Sequence, residues 1–141
     1  MLKKWKIATA LLSATILCSG SIPFLTPTDS DNSIFTIKPE DYITEKGLQK
    51  SSTRLFDPNT VFITARGSVG RLALNAVPMA MNQSCYALRA KDEISHTFLF
   101  FLTKELIYHL RVKASGSVFN SIVSRDIEYT KLETKLRMLS Y

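Results

Sequence analysis

The sequence is poor in the residues that bind metals or cross-link small domains. It contains two cysteines, Cys18 and Cys85, and two histidines, His96 and His109. None of them stands in a CxxC, HExxH or comparable arrangement, and the cysteines lie far apart in the chain. The pattern argues against zinc sites and disulfide frameworks. We therefore expect two free thiols in a reducing compartment, and neither a metal nor another cofactor.

Motifs for nucleotide binding and catalysis are missing as well. The glycines of residues 67–70 (GSVG) lack the spacing and the following Lys-Ser/Thr of a phosphate-binding loop. This GxxG follows a predicted strand, whereas a KH-type loop joins helices. Ser68 or Cys85 with a distant histidine is a pairing that almost any sequence offers. We therefore expect no catalytic activity.

Long apolar runs are also absent. Lys3, Lys4 and Lys6 lead into an apolar run over residues 7–17, which is too short to cross a bilayer as a helix. With the small residues after it, this pattern is typical of a secretory signal peptide over residues 1–20. The bulky residue before Cys18 and the polar residues within the run argue against that interpretation. A small secreted or lipid-anchored basic protein stays open as an alternative.

What is present is a globular composition with a basic excess. The chain has 141 residues, of which 45% are hydrophobic and 21% charged, and this suits one domain with one core. Its net charge of +6 is unevenly spread, because residues 61–125 hold eight basic and three acidic side chains. Such an excess suits a polyanionic partner, although many soluble domains carry one for solubility alone.

The order of apolar and turn-forming residues predicts several strands and a short helix. Residues 23–29 predict a strand end that runs into an ordered loop. Residues 38–47, with a proline early and a glycine late, predict a short helix whose Tyr42 and Ile43, with the following Leu48, face the core. Strands are predicted over residues 61–64, 72–75 and 84–89, and the glycine-bearing loop 65–70 closes a hairpin between the first two.

Helical spacing is clearest in the second half of the chain. Apolar residues at 94, 98, 101, 102, 106 and 110 predict a long core helix over residues 94–112. Its predicted core face consists of Phe98, Phe101, Leu102 and Leu106. Helical spacing returns at Tyr129, Leu132, Leu136 and Leu139, which predicts an amphipathic segment.

Three polar segments interrupt this framework, at residues 64–70, 81–84 and 113–117. Arginine can bond guanine bidentately, Asn or Gln can bond adenine, and Ser, Thr and glycine-flanked N–H groups can approach phosphates. The combination suits the reading of duplex DNA. Each segment alone is more typical of an ordinary turn than of a DNA contact, since glycines close hairpins and Asn caps turns.

Five segments, taken in order, resemble the family of type I restriction-modification specificity (S) subunits. They are residues 22–29 (IPFLTPTD), 42–48 (YITEKGL) with Ser51 and Ser52, 61–70 (VFITARGSVG), 81–88 (MNQSCYAL) and 114–119 (ASGSVF). The resemblance implies an α+β target recognition domain, with a mixed twisted β-sheet and a few packed helices. It also implies that the domain reads one half of a split double-stranded DNA site through the major groove.

The resemblance assigns candidate DNA-binding residues by position. Arg66, Gly67 and Ser68 fall in one DNA-facing loop, and Lys113, Ser115 and Ser117 in another. Asn82, Gln83, Thr26 and Thr28 are weaker candidates, because short polar side chains in turns also bond local backbone groups.

Partners and departures follow from the same resemblance. The implied partners are the methylation (M) subunit and, through it, the restriction (R) subunit, in the cytoplasm and away from membranes. A fragment that occupies the methylation subunit without reading DNA is a further alternative. The second recognition domain and the long spacer helix of the family are not evident, and the stretch before residue 22 is short. We therefore expect one partial domain over residues 1–141, truncated or degenerate, with residues 5–17 as a first strand and turn.

Overall fold

Two β-sheets and two helices make up the described part of the chain. The computed structural model describes residues 3–5, 20–32, 34–36, 38–90, 94–113 and 121–122, with residues 3–5 and 113 described by their backbone alone. In chain order the elements are β1 (Lys3–Trp5), β2 (Ile22–Leu25), β3 (Ile34–Thr36), β4 (Asp41–Ile43), α1 (Glu45–Lys50), β5 (Val61–Thr64), β6 (Leu72–Asn75), β7 (Ala80–Met81), β8 (Cys85–Arg89) and α2 (His96–Lys113). This confirms the predicted α+β class.

The larger sheet has the strand order β1-β8-β5-β6-β3 and is centred on β5. All four residues of β5 are buried, and so are all four of β6. The β5–β6 hairpin is antiparallel with Val61 opposite Leu74, which confirms the predicted hairpin and its two strands. β8 pairs with the other side of β5 and confirms the third predicted strand, while β3 joins the edge in parallel with β6.

The smaller sheet, of order β4-β2-β7, packs against one face of the larger one. Phe62 and Ala87 of the larger sheet meet Leu25, Met79 and Met81 in a shared cluster of buried residues. A further cluster on the smaller sheet includes Ile22, Phe24, Ile43 and Ala80, with Leu48 of α1 packed against it. The core therefore lies in layers, and the larger sheet is covered on both faces.

The opposite face of the larger sheet is covered by α2. Val61, Ile63 and Leu72 are in one cluster with Leu99, Phe100, Leu106 and Ile107 of the helix. The predicted helix is confirmed, and so is Leu106 as a core residue. The remainder of the predicted core face is wrong, because Phe98 is 41% exposed, Phe101 is 50% exposed and Leu102 is only partly buried.

The predicted helix over residues 38–47 is also wrong. Asp41–Ile43 is instead a strand, with Ile43 opposite Ile22 of β2, and the helix begins only at Glu45. Its start is fixed by Thr44, whose side chain accepts a hydrogen bond from the Gly47 N–H at 3.0 Å. Sheet pairing thus overrides the local signal of Pro39. Ile43 is buried and Leu48 packs on the core as predicted, while Tyr42 is half-buried.

The N-terminal segment contributes a strand to the larger sheet. β1 pairs antiparallel with β8, with Trp5 opposite Ala87 and Lys3 opposite Arg89. Of the first strand and turn predicted over residues 5–17, the structure describes only Trp5, which lies in β1 as predicted. Residues 6–17 lie outside the described residues. Within the described ranges, no helix combines the length and apolarity that a membrane crossing requires.

Candidate functional site

Three loops meet at one end of the two sheets, which we call the loop end: the 26–29 loop after β2, the 65–70 loop between β5 and β6, and the 82–84 loop between β7 and β8. β2 and β7 run parallel, so both finish here, and Thr64 of β5 is opposite Cys85 of β8. The Ala65 N–H donates to the Ser84 carbonyl at 2.7 Å, and the Asn82 N–H donates to the Leu25 carbonyl at 2.8 Å. Backbone hydrogen bonds therefore join all three loops.

The 65–70 loop is organised by Thr64, which is fully buried. The Thr64 hydroxyl donates to the Ser68 carbonyl and accepts from the Arg71 N–H at 2.9 Å. The Thr64 carbonyl accepts from the Gly70 N–H at 2.8 Å, and the Thr64 N–H donates to the Arg71 carbonyl at 2.9 Å. One threonine thus bonds both arms of the loop, which fixes its shape without a bound partner.

Helix α2 supports this loop from beneath. Gly70 has φ +80°, and a Cβ there would stand 2.6 Å from Cγ2 of Ile107. Arg111 in the last turn of α2 donates from Nη2 to the Val69 carbonyl at 2.7 Å. Val69 itself is buried in the cluster that contains Ile107. Only a glycine allows the loop to lie this close to the helix.

The three main candidates lie on the outer side of the 65–70 loop. Arg66 is exposed, and Gly67 is exposed at the tip with φ +78°. Ser68 is half-buried, and its carbonyl accepts the bond from Thr64. The structure therefore brings the three together on a loop whose backbone is fixed at Thr64 and at α2, while the Arg66 side chain extends from the exposed part.

The described residues on both sides of the polar segment after α2 lie beside the same loop. Arg111 and the backbone of Lys113 belong to the last turn of α2, beside the loop. Further along, Ser121 pairs with Arg66 as an isolated antiparallel bridge, and the Ile122 N–H donates to the Ala65 carbonyl at 3.0 Å. Ser115 and Ser117 lie outside the described residues, but the chain leaves and returns beside the 65–70 loop.

The 82–84 loop contains two candidates: Asn82, whose side chain bonds within the loop, and Gln83, which is exposed. The Asn82 side-chain oxygen accepts from the Ser84 N–H at 2.8 Å, and its carbonyl accepts from the Cys85 N–H at 3.1 Å. Asn82 therefore closes its own turn. Gln83 at the tip is exposed. Of the two, Gln83 has the side chain more accessible to a ligand.

Thr26 and Thr28 are engaged within the 26–29 loop. The Thr26 hydroxyl is 2.6 Å from the Asp29 carboxylate and 2.7 Å from the Thr28 hydroxyl. Asp29 also accepts from the N–H groups of Thr26 and Glu40, at 2.7 and 2.8 Å. The Asp29 carboxylate in this loop repels phosphate, whereas Arg66 and Arg71 attract it. The 65–70 side of the loop end is therefore the favourable side for a polyanion.

Sequence reasoning missed three residues that support this side: Thr64, Arg71 and Arg111. Arg71 is exposed directly after the loop. A buried threonine that ends a strand before a glycine loop is a signal that could have been noticed. The contact of Arg111 with the loop has no such signal, because Arg111 is 42 positions after Val69, the residue that it bonds.

Cys85, at the start of β8, is a free buried thiol. Burial raises its pKa to about 12, and the nearby Asp29 carboxylate acts in the same direction. The thiol is therefore neutral at pH 7, and a neutral thiol is a poor nucleophile. The described residues contain no group of three or more His, Cys, Asp and Glu side chains that could hold a metal ion.

Comparison with known proteins gives one consistent result. The family model for the type I restriction modification DNA specificity domain matches residues 5–134. The type I restriction enzyme MjaIX specificity subunit of Methanocaldococcus jannaschii is 33% identical over 117 residues, which cover 80% of this chain and 27% of that protein. The EcoR124I/EcoR124II specificity subunit of Escherichia coli is 33% identical over 88 residues, covering 60% of this chain and 22% of that protein. The chain spans about a quarter of the length of these curated relatives.

Solved structures share the fold. A chain from a study of the structural basis underlying complex assembly and conformational transition of the type I R-M system superposes with a TM-score of 0.65 at 19% identity, over 99% of this chain and 34% of its own. The HsdS subunit from Thermoanaerobacter tengcongensis gives a TM-score of 0.62 at 19% identity, over 89% of this chain and 28% of its own. At these identities the likeness concerns the fold alone.

Proposed function

The chain belongs to the type I restriction modification DNA specificity domain family, and from this premise we propose that its loop end reads one half of a split duplex DNA site. The observation that carries the proposal is the convergence at one place of the 65–70 loop, the end of α2 and the returning chain at Ser121. Arg66, Arg71 and Arg111 all belong to this region. A rigid loop that presents arginine is suited to base readout in the major groove.

Arg66 is the residue we propose for base contact. Its neighbours Ala65 and Gly67 have little or no side chain, so the loop can approach a groove closely. The guanidinium is planar and can bond guanine O6 and N7 together. Gln83 and, through phosphates, Lys113 and Ser68 complete the proposed surface, with Ser115 and Ser117 on the adjacent segment.

The remainder of the proposal concerns partners. Because a specificity subunit directs other subunits to DNA, we propose that the chain acts with a methylation subunit and, through it, a restriction subunit, in the cytoplasm and without a cofactor. It would read its half-site and leave the chemistry to them. The full split site requires a second recognition module, and the matched part of the relatives, about a quarter of their length, is consistent with one such module.

The experiment that tests this function compares two variants. Arg66→Ala is expected to cost about 1–3 kcal/mol of binding to a duplex selected from a random library, and to relax preference at one position. Lys113→Ala is expected to weaken all duplexes alike and to reduce the slope of log K against log salt by about one, because a phosphate contact releases a counterion. Isotherms on selected and scrambled duplexes at several salt concentrations measure both.

Arg89→Ala is the matched control. Arg89 is exposed near the opposite end of the same sheet, where it pairs with Asp57 at 2.6 Å. Its loss removes the same charge away from the loop end, and exposed ion pairs contribute little to stability. Equal losses on both duplexes for Arg66→Ala would remove it from base readout. Loss of affinity for Arg89→Ala equal to that of Arg66→Ala would move the binding surface elsewhere.

We also expect the purified chain to catalyse no methyl transfer, DNA cleavage or ATP hydrolysis. The reason is that Cys85, the one cysteine in the described residues, is neutral and buried, and that the sequence has no motif for these reactions. The measurement is turnover across a size-exclusion profile with each substrate. Activity that follows the protein peak through two different columns would contradict the expectation.

A further inference from the structure

The guanidinium of Arg111 lies between the 65–70 loop and solvent. Its Nη2 donates to the Val69 carbonyl at 2.7 Å. A Cβ placed on Gly70 would stand 3.1 Å from Nη2 and 3.5 Å from Nε, so the edge that carries these two nitrogens rests against the loop. Arg111 is nevertheless an exposed residue. One edge of the guanidinium is therefore used inside the molecule, and Nη1 lies farther from Gly70.

No carboxylate is paired with Arg111 in the described part of the chain. The described salt bridges join Arg89 to Asp57 and His109 to Glu105, and neither involves Arg111. A guanidinium has five N–H donors, and within the described ranges the bond to the loop is the one hydrogen bond of this side chain. Arginine donors bond phosphate oxygens with strong, directional hydrogen bonds. Arg111 thus has a capacity for an anion that its contact with the loop does not use.

A short path of hydrogen bonds runs from Arg111 to Arg66, the residue proposed for base contact. The Val69 N–H donates to the Gly67 carbonyl at 2.8 Å, and Gly67 directly follows Arg66. A Cβ at Gly67 would meet no atom within 4 Å, so the tip of the loop has no packing of its own. The position of the Gly67 peptide, and with it the direction of the Arg66 side chain, therefore depends on Val69, which Arg111 holds.

We propose that Arg111 is a positioning residue that bonds a DNA phosphate with its outer donors while Nη2 holds the Val69 carbonyl. The inference rests on the proposed function, in which the loop end reads duplex DNA. Contact with the DNA backbone and base readout by Arg66 are then coupled, because a single guanidinium serves both the phosphate and the loop. A lysine at position 111 keeps the charge, but its compact ammonium does not span acceptors on two edges. Sequence preference should therefore follow the guanidinium, and salt dependence the charge.

Duplex binding by Arg111→Ala and Arg111→Lys tests both parts of the proposal. Arg111→Ala is expected to reduce the ratio of affinities for the selected and scrambled duplexes at least about fivefold, and to lower the slope of log K against log salt by about one. Arg111→Lys is expected to lose a similar part of the ratio but to keep the slope of the parent chain.

Lys104→Ala is the matched control. Lys104 is exposed, and it lies seven residues, or about 10 Å, before Arg111 on the same flank of α2. Its loss removes an equal charge from the helix without touching the 65–70 loop, so the ratio of affinities should stay the same.

Each other result decides against a particular part. A ratio that Arg111→Ala leaves unchanged, that Arg111→Lys restores in full, or that Lys104→Ala lowers equally would overturn the inference and leave the proposed function standing. A slope that Arg111→Ala leaves unchanged would overturn the phosphate contact. A parent chain that does not distinguish the two duplexes would overturn the proposed function itself, and this inference with it.

Hydrogen exchange on the chain without DNA tests the positioning step alone. The Val69 and Gly70 amides, which bond the Gly67 and Thr64 carbonyls, are expected to exchange at least about fivefold faster in Arg111→Ala than in the parent chain. Amides of β5 and β8 should keep their protection and show that the variant is folded. Unchanged exchange of both loop amides would show that Arg111 does not hold the loop, which would overturn the inference whatever the DNA measurements give.

Discussion

Replacing Phe100 by alanine is expected to lower the free energy of unfolding by about 3–5 kcal/mol. Phe100 is 1% exposed and belongs to the cluster that joins α2 to the larger sheet, with Leu88 and Leu99. Removal of its ring deletes the buried apolar surface and leaves a cavity that the packed sheet cannot fill. Because domains are stable by only about 5–15 kcal/mol, this change threatens the fold itself.

Phe101→Ala is the matched control, since it removes the same ring from the adjacent residue. Phe101 is 50% exposed on the side of α2 that faces away from the sheet, and its loss is expected to cost at least about 2 kcal/mol less than that of Phe100. Urea unfolding followed by fluorescence of Trp5 and by far-UV circular dichroism gives both values. Equal losses would mean that the face of α2 in contact with the sheet has been assigned incorrectly.

This pair of phenylalanines also shows where sequence periodicity stops being informative. Residues 98–102 are apolar without interruption, so helical spacing identifies the helix but does not select its face. Phe98, Phe101 and Leu102 fit one choice of face, and Leu99, Phe100 and Ile107 fit the other. Packing against β5 and β6 decides the matter, and that information is not local. The strands of β5, β6 and β8 were predictable because their apolar runs have turn residues on both sides.

The short helix shows a different error. The local signal predicts a helix start, but it predicts it at the wrong residue. Pro39 and the acidic residues after it are typical of a helix start, yet Asp41–Ile43 pairs with β2. The actual cap is Thr44, five residues later. Propensity is a weak determinant when a neighbouring strand offers backbone hydrogen bonds and Ile43 can be buried.

The candidate site also has one part that the sequence predicts and one part that it does not. Residues 64–70 and 82–84 could be identified from their composition, because Gly, Ser, Asn and Arg between strands predict turns with polar function. Their convergence could not, since it depends on the parallel pairing of β2 with β7 and on the contact of Arg111 with Val69. Topology brings the loops together, and buried residues such as Thr64 then fix them.

The two glycines of the 65–70 loop make this dependence on α2 measurable. Both have positive φ, +78° at Gly67 and +80° at Gly70, so an alanine costs about 1–2 kcal/mol at either position. A Cβ at Gly67 has no atom within 4 Å, whereas one at Gly70 stands 2.6 Å from Cγ2 of Ile107. Gly70→Ala therefore adds an overpacking cost of about 1–3 kcal/mol. We expect a total loss of about 2–5 kcal/mol at Gly70 and about 1–2 kcal/mol at Gly67.

A double-mutant cycle separates the steric cost at Gly70 from the backbone cost. In an Ile107→Ala background the clashing methyl is gone, so Gly70→Ala should cost at least about 1 kcal/mol less than in the parent chain, while the cost of Gly67→Ala stays the same. Denaturant unfolding of the six chains provides the comparison. If the loop is pushed off α2, Gly70→Ala should also lose DNA sequence preference, because Arg66 extends from that loop. If Gly70→Ala lowers the free energy of unfolding by the same amount with and without the Ile107 side chain, the loop does not rest on the helix. The loop that presents Arg66 would then need another support.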